Sequence, residues 1–294
     1  MNGTNVSSAI FERLTDELEA LTPEARKVAT YVLENPQDVG VSTVREIAEA
    51  AQVKPNSVVR MARQVGFDGY EDFREPFREE IRRGNVSFPD RVRWLQSIRA
   101  NGELGGLYAD MVGAMLSNIE ETFGRISEAD LKAAAEDIWA ARQVFTLGVG
   151  VNNANAQNFT YLASTGMSQF HFVPKAGSTA LDDLAWANEK DVLIAITCKP
   201  YRTEVVEAVK IAREQGVKII GISDSPASPI IVGSDHGFVV AVDTPQFFPS
   251  SLTTLSLLET LLSFVIASAS SEIPGRVERF HARRHQLGMY EDSE

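Results

Sequence analysis

Across residues 41–67 the apolar positions recur at three- and four-residue steps, break at Gln52-Val53-Lys54, and then recur. Val44, Ile47, Ala48 and Ala51 mark one stripe of a helix running from Val44 to about Ala51, with Thr43 and Glu46 spaced as a capping box at its start. Pro55 suits the first position of a second helix, where its missing N–H costs nothing. Along that helix Val58, Met61, Ala62 and Val65 face inward, and Asn56, Arg60, Arg63 and Gln64 share the outer face.

The flanking pattern is helical too, from about Phe11 to Arg83. Thr22-Pro23 caps a helix that runs to about Glu34 and stops at Asn35-Pro36, and Gly69-Tyr70 leads into another ending near Arg83-Gly84. Residues 85–106, with their Ser-Phe-Pro and Asn-Gly steps, read as a linker with one short helix. A long helix is predicted over residues 107–123. Ser127 and Asp130 cap the next, which runs to about Arg142.

Beyond Arg142 the period changes. Residues 144–147, 169–173, 192–197, 217–223 and 237–242 are short, apolar, β-rich runs. Helical segments separate most of them, at 154–166, at 203–215 and, in short form, near Pro229. Such alternation predicts a five-stranded parallel sheet flanked by helices, a Rossmann-like α/β fold with ligands at the carboxyl ends of its strands. The loops to inspect are then 148–153, 175–179, 197–203, 223–228 and 243–251. A closing helix, 251–269, is apolar nearly all round, and so is either buried or a seam between subunits. The expected division is 1–84, an α-helical helix-turn-helix domain; 85–124, linker and connecting helix; 125–272, the α/β domain; and 273–294, a tail.

Composition narrows the partners. The formal net charge is -12, which argues against a surface that is nucleic-acid-binding throughout. Yet no acid occurs between Gln52 and Gly66, where Lys54, Arg60 and Arg63 lie. A face meeting phosphates excludes carboxylates locally, and Arg, Asn and Gln can make paired hydrogen bonds to base edges in the major groove. Lys54, Asn56, Ser57, Arg60, Arg63 and Gln64 are therefore the candidate DNA contacts, on a helix with the character of a recognition helix. A solvated face of an ordinary bundle is the competing interpretation. The single cysteine, Cys198, excludes an internal disulfide and fits a reducing cytoplasm. The polar start is unlike a secretory signal, and no run reaches the roughly eighteen continuous apolar residues of a membrane helix.

SVVRMARQVGFDGYEDF in the helical part, followed by VFTLGVGVNN, DVLIAIT and TEVVEAVKIAREQGVKIIGISDSPASPI in the α/β part, resembles the RpiR/MurR family of bacterial transcriptional regulators with their sugar isomerase (SIS) domain. The resemblance covers roughly residues 10–270, with both domains in the family's order. It implies a cytoplasmic homodimer or homotetramer that binds double-stranded DNA and whose SIS domain senses a carbohydrate-derived metabolite, often a phosphosugar. Lys54 stands where a serine is more usual before the recognition helix.

The ligand candidates are Gly148, Gly150, Asn152, Asn153, Thr197, Lys199, Tyr201, Arg202, Thr203, Ser250 and Ser251, with Lys175 and Ser178 weaker. Gly148-Val149-Gly150 follows a strand and precedes a helix, so its backbone can approach an anion at the helix start. A dinucleotide fingerprint would need glycine at Asn153 and an acid after the second strand, where His171-Phe172-Val173-Pro174-Lys175 stands; no cofactor is expected. The family's phosphate-cradling Ser-x-Ser-Gly-x-Thr corresponds here to Thr197-Cys198-Lys199-Pro200-Tyr201-Arg202, which keeps one hydroxyl in register and puts proline in place of glycine. Lys199 and Arg202 could instead hold an anion by charge. Ser250 and Ser251 open the last helix, where capping explains one of them; Ser223-Asp224-Ser225 fits turn chemistry equally well. His281 and His285 are four apart but lack a third ligand amid arginines, so no metal is expected.

An isomerase or lyase would need an acid–base pair, and the resemblance implies glutamate and histidine for that work. The strand-end loops offer only Glu204. The chain therefore reads as a regulator, not an enzyme, with a SIS-type enzyme and an adaptor that binds no DNA as the alternatives. Identity of the effector, operator sequence and direction of control are not contained in these residues.

Overall fold

The computed structural model describes residues 6–82, 88–100, 102 and 104–290. It divides into two compact units: residues up to Met115 with Asp243–Pro249, and residues from Leu116 to Val242 with those from Ser250 onward.

The first unit is helical. Its elements are α1 (Val6–Glu17), α2 (Pro23–Glu34), α3 (Pro36–Val41), α4 (Val44–Ala50), α5 (Pro55–Gln64), α6 (Tyr70–Arg82) and α7 (Phe88–Ala100). Leu14, Val28, Ile47, Val58, Met61 and Phe73 make one continuous core among α1, α2, α4, α5 and α6. The Tyr70 hydroxyl donates to the carbonyls of Val39 (3.2 Å) and Ser42 (3.0 Å), fastening the end of α3 to α6.

Three sequence expectations need correction here. Asn35-Pro36 does end α2, but Pro36 also opens α3, because proline suits the first turn of a helix as well as it closes the preceding one. The supposed linker holds α7, a helix of 13 residues whose Trp94 and Ile98 are buried with Val41, Leu95 and Leu107 around them. Packing around Trp94 and Ile98 supports that helix, whose flanks carry the Ser-Phe-Pro and Asn-Gly steps that look like loop. Thr22 occupies the N-cap of α2 without a capping bond from its side chain. The predicted end of α6 at Arg83-Gly84 lies outside the described residues.

A long helix, α8 (Leu104–Arg125), begins in the first unit and runs into the second. Then come α9 (Glu128–Ala140), β1 (Val144–Gly148), α10 (Asn152–Ser164), β2 (Phe170–Val173), α11 (Ala180–Asp183), β3 (Val192–Ile196), α12 (Thr203–Glu214), β4 (Lys218–Ser223), β5 (His236–Val239), α13 (Leu252–Ala267) and α14 (Ile273–Gln286). All strand pairs are parallel, in the order β2-β1-β3-β4-β5. Burial on both faces explains the unbroken apolar run of β3 and the nearly apolar one of β1, where Thr146 is the one polar residue. One core lies between the sheet and α9, α10 and α13, with Ile194, Ile220, Phe159, Leu257 and Leu261. The other lies beneath α11 and α12, with Leu147, Leu193, Ala208 and Ile219.

The short helix expected near Pro229 is a turn instead. Ile231 and Val232 both donate to the carbonyl of Ser228 (2.9 and 3.0 Å), and Gly233, at φ +74°, ends the turn. Pro226 and Pro229 lack the amides a longer helix would use. As for α13, one face is buried within the unit through Leu257, Leu258, Leu261 and Val265, while Ile266 is exposed.

Candidate functional site

In the first unit the helix pair forms as its caps dictate. The Thr43 hydroxyl accepts from the Glu46 amide (3.3 Å), and the Glu46 carboxylate accepts from the Thr43 amide (2.6 Å). After α4 the chain turns through Gln52, at φ +56°, and the Val53 amide closes back on the Ala48 carbonyl (2.8 Å). Lys54 takes the N-cap of α5 without a side-chain bond, and Pro55 takes the first turn. Val58, Met61 and Ala62 are wholly buried, which forces the opposite face outward.

On that face Lys54, Asn56, Arg60, Arg63 and Gln64 are exposed and Ser57 is half-buried. Arg63 is partly committed, since its Nε donates to the Asp68 carbonyl (3.0 Å). Sequence reasoning missed Arg13, whose guanidinium lies over Gly66 just past α5, within 2.4 Å of where a Cβ would stand. Nothing local signals this, because Arg13 belongs to α1.

In the second unit the strand order reverses beside β1. The chain steps outward from β1 to β2 and then returns to β3 on the other side. Helices leaving β1 and β3 therefore diverge to opposite faces and leave a crevice between the carboxyl ends of those two strands. The 148–153 and 197–203 loops border it.

Along the first loop Gly150 has φ +58°, a left-handed conformation suited to glycine. Asn152 opens the buried face of α10. The Asn153 side chain is engaged locally: its Nδ2 approaches the Gly148 carbonyl (3.5 Å) and its Oδ1 accepts from Gln157 (2.8 Å).

In the second loop the Thr197 hydroxyl accepts from the Arg202 amide (3.2 Å), and the Thr197 carbonyl accepts from the Ser223 hydroxyl (2.6 Å). The Lys199 amide donates to the Asp224 carboxylate (3.2 Å). Arg202 donates through Nη2 to Glu204 (2.8 Å), and its Nη1 lies 3.6 Å from where a side chain on Gly150 would begin. Lys199, Arg202 and Thr203 are exposed, and Tyr201 is half-buried. Burial, then the Asp224 charge, raises the Tyr201 phenol above its usual range. The same two causes push the Cys198 thiol up to about 12, so it stays protonated and unreactive at neutral pH.

The structure thus brings Gly150 to Arg202 and Lys199 to Asp224, joining the loops after β1, β3 and β4. Other candidates stand differently. Ser250 supplies the hydroxyl at the start of α13, accepting from the Leu252 amide (3.4 Å), whereas Ser251 takes the N-cap without such a bond. The Lys175 amide and the Ser178 hydroxyl both donate to Asp183 (2.7 and 3.2 Å), which explains them structurally. His281 meets the Tyr290 hydroxyl (3.0 Å), and the His285 ring lies 4.7 Å from the Tyr290 ring. Among the described residues no group of three or more His, Cys, Asp or Glu is gathered to hold a metal, and no helix is long and apolar enough to cross a membrane. A groove of about 880 Å³ lies elsewhere, between the end of α10, α13 and α14, lined by Leu162, Leu262, Ile266 and Val277.

Comparison with known proteins agrees with both units. A model of the helix-turn-helix domain of the rpiR family matches residues 8–84, and a SIS domain model matches residues 137–264. An uncharacterized HTH-type transcriptional regulator of Clostridium perfringens is 25% identical over 272 residues, covering 90% of this chain and 94% of its own. The Vibrio vulnificus NanR protein, solved in complex with ManNAc-6P, matches with a TM-score of 0.56 at 20% identity, covering 94% of this chain and 98% of that one. The sugar isomerase domain of an RpiR transcription factor from Sphaerobacter thermophilus matches with a TM-score of 0.55 at 22% identity, covering 61% of this chain and 98% of that one. At these identities the two structures establish likeness of fold.

Proposed function

The chain is an rpiR-type helix-turn-helix regulator with a SIS domain, and from that premise we propose that it is a cytoplasmic, non-enzymatic protein that binds a palindromic operator and yields or tightens its hold when a carbohydrate-derived metabolite enters the crevice between β1 and β3. The observation that carries the DNA half is α5 itself: its apolar face is fully buried and its outer face presents Lys54, Asn56, Arg60 and Gln64 with no carboxylate between Gln52 and Gly66. A helix so built can enter the major groove and read base edges, while Lys54 and Ser57 meet phosphate.

The effector half is supported by the crevice at the strand reversal, and by NanR, which was solved with a sugar phosphate. Gly148, Gly150, Asn152, Thr197, Lys199, Tyr201, Arg202 and Thr203 are assigned to it, together with Ser250 and Ser251 from the start of α13. Absence of catalysis is argued from the same loops. Burial and the Asp224 charge keep the Cys198 thiol protonated, and Glu204, half-exposed and salt-bridged to Arg202, has no histidine beside it among the strand-end loops to complete an acid–base pair.

Subunit pairing, as homodimer or homotetramer, is assigned to α8. Its Leu104, Tyr108, Val112, Met115, Leu116 and Ile119 are exposed at three- and four-residue steps, the spacing of a helix-to-helix seam. A two-fold dimer would present its recognition helices about 34 Å apart, matching half-sites one helical turn apart. Ligand would favour one spacing over another, and ~1–3 kcal/mol of coupling suffices to change occupancy.

The test is selection of bound fragments from randomised duplex DNA, followed by titration of the recovered site with carbohydrate acids, phosphates and neutral sugars. A palindromic consensus whose affinity shifts with a carbohydrate supports the reading. Absence of any enriched sequence would refute it.

A further inference from the structure

We propose that the crevice between β1 and β3 accepts a ligand carrying a single carboxylate, such as a sugar acid, on Arg202, and discriminates against phosphate monoesters. This rests on the reading of the crevice as the effector site and names the acid group that the site selects.

The backbone of the loop after β3 first weakens the phosphate option. Cradling a phosphate at a loop and helix start requires several backbone N–H groups free to converge on it. In the loop after β3 the Lys199 amide is already bonded to the Asp224 carboxylate (3.2 Å), Pro200 has no N–H, and the Arg202 amide is bonded to the Thr197 hydroxyl (3.2 Å). Asp224 thus holds a negative charge at the very amide that would greet an incoming anion.

Charge points the same way. Lys199 and Arg202 are balanced at this loop by Glu204 and Asp224. A phosphate monoester, close to doubly charged at neutral pH, would leave the cluster strongly negative. A carboxylate brings only one negative charge and can take the place of Glu204 on Arg202. Arg202 already presents its planar fork to a carboxylate, that of Glu204 at 2.8 Å, and guanidinium geometry suits such groups. That pair is half-exposed on both sides, so it is weakly held and readily exchanged. Once displaced, Glu204 remains in the first turn of α12, where the helix dipole favours an acid.

Location completes the argument. Arg202 is the side chain that bridges the two loops of the crevice, reaching over Gly150, and the missing side chain there leaves the guanidinium open to a ligand lying between β1 and β3. The ligand therefore exchanges with Glu204 at the crevice mouth and carries its hydroxyl groups inward.

Isothermal titration of the full chain decides it, with D-gluconate, D-glucuronate and D-galacturonate set against D-glucose 6-phosphate and N-acetylmannosamine 6-phosphate. The expected result is an acid that binds at least tenfold more tightly than either phosphate. Arg202→Gln should weaken that acid tenfold or more with the thermal melting unchanged, since the side chain is exposed. Glu204→Gln should tighten it, and Asp224→Asn should improve the phosphates alone. A phosphate that binds as well as the acids, or an acid that binds equally to Arg202→Gln, overturns the inference and leaves the effector reading standing. Heat from none of the five overturns the inference too, while operator selection still reports separately on the DNA-binding reading.

Discussion

A Cβ at Gly148 would stand 2.3 Å from the carbonyl oxygen of Asn152 and 2.9 Å from the Cβ of Ala156. The end of β1 and the first turn of α10 are in such close contact that only glycine fits between them. Because the obstruction is backbone, it cannot swing aside. Gly148→Ala should cost ~1–3 kcal/mol of stability in the sheet-bearing unit and displace the glycine loop. Scanning calorimetry checks this: the sheet unit's transition falls and any carbohydrate stabilisation disappears, and an unmoved transition would contradict it.

Arg60 is exposed on α5 among residues that contain no acid. Arg60→Ala should weaken operator binding by ~1–3 kcal/mol and relax sequence preference at one base position. Lys54→Ala should weaken binding to all sequences alike and lower the salt slope by about 1. Fluorescence anisotropy at several salt concentrations separates the two effects. Wild-type operator affinity and sequence preference in Arg60→Ala, with wild-type affinity and salt slope in Lys54→Ala, would remove α5 from the interface.

The capping box of α4 can be tested without touching that surface. Thr43→Ala deletes the acceptor of the Glu46 amide and should cost about 1 kcal/mol. Urea denaturation of the full chain should show the loss in the helical unit's transition, with the sheet unit's midpoint unchanged.

Exposed apolar residues on α8 predict its role in assembly. Tyr108 is 74% exposed and Leu116 59%. The double variant Tyr108→Glu with Leu116→Glu should sediment as a monomer that still melts cooperatively. If it keeps the native assembly state, pairing lies elsewhere.

His171 supplies a pH dependence. Its ring packs 5.8 Å from Phe145 and meets the Gln143 side chain, and burial foremost, then the Lys175 charge, lowers its pKa below 6.5 against a smaller opposing effect of Asp191. The unfolded chain therefore takes up this proton first as pH falls. Its contribution is intact above pH 6.5 and declines below it until the folded-state pKa is passed. Melting temperatures from pH 7.5 to 5 should fall less steeply for His171→Gln than for the native chain, and parallel curves would exclude the effect.

The helix pair was legible because everything that makes it is local. Thr43 and Glu46 are three residues apart, Pro55 and Val58 likewise, and the outward direction of Arg60 follows from the inward one of Met61. The central strands β1, β3 and β4 were legible for a related reason, since burial on two faces leaves an apolar run that no loop would carry. By contrast the local pattern of residues 85–106 gives only a linker with one short helix, because Trp94 and Ile98 of α7 pack against Val41, which is remote in sequence. Asp224 was taken for a turn residue because its partner, the Lys199 amide, is 25 positions away. Arg13 was missed for the same reason.

Residue order alone determined the α4–α5 helix pair, the alternation of strands and helices, and the outward, acid-free face of α5. Hydrogen bonds and side-chain periodicity within one element span only a few residues, so they are written in a few residues. Only the tertiary structure decided that the sheet runs β2-β1-β3-β4-β5, that Arg202 consequently reaches Gly150, and that Asp224 seals the amide beside it. Those relationships depend on which strands become neighbours. Burial of both faces of the sheet settles that collectively, and no single segment encodes it.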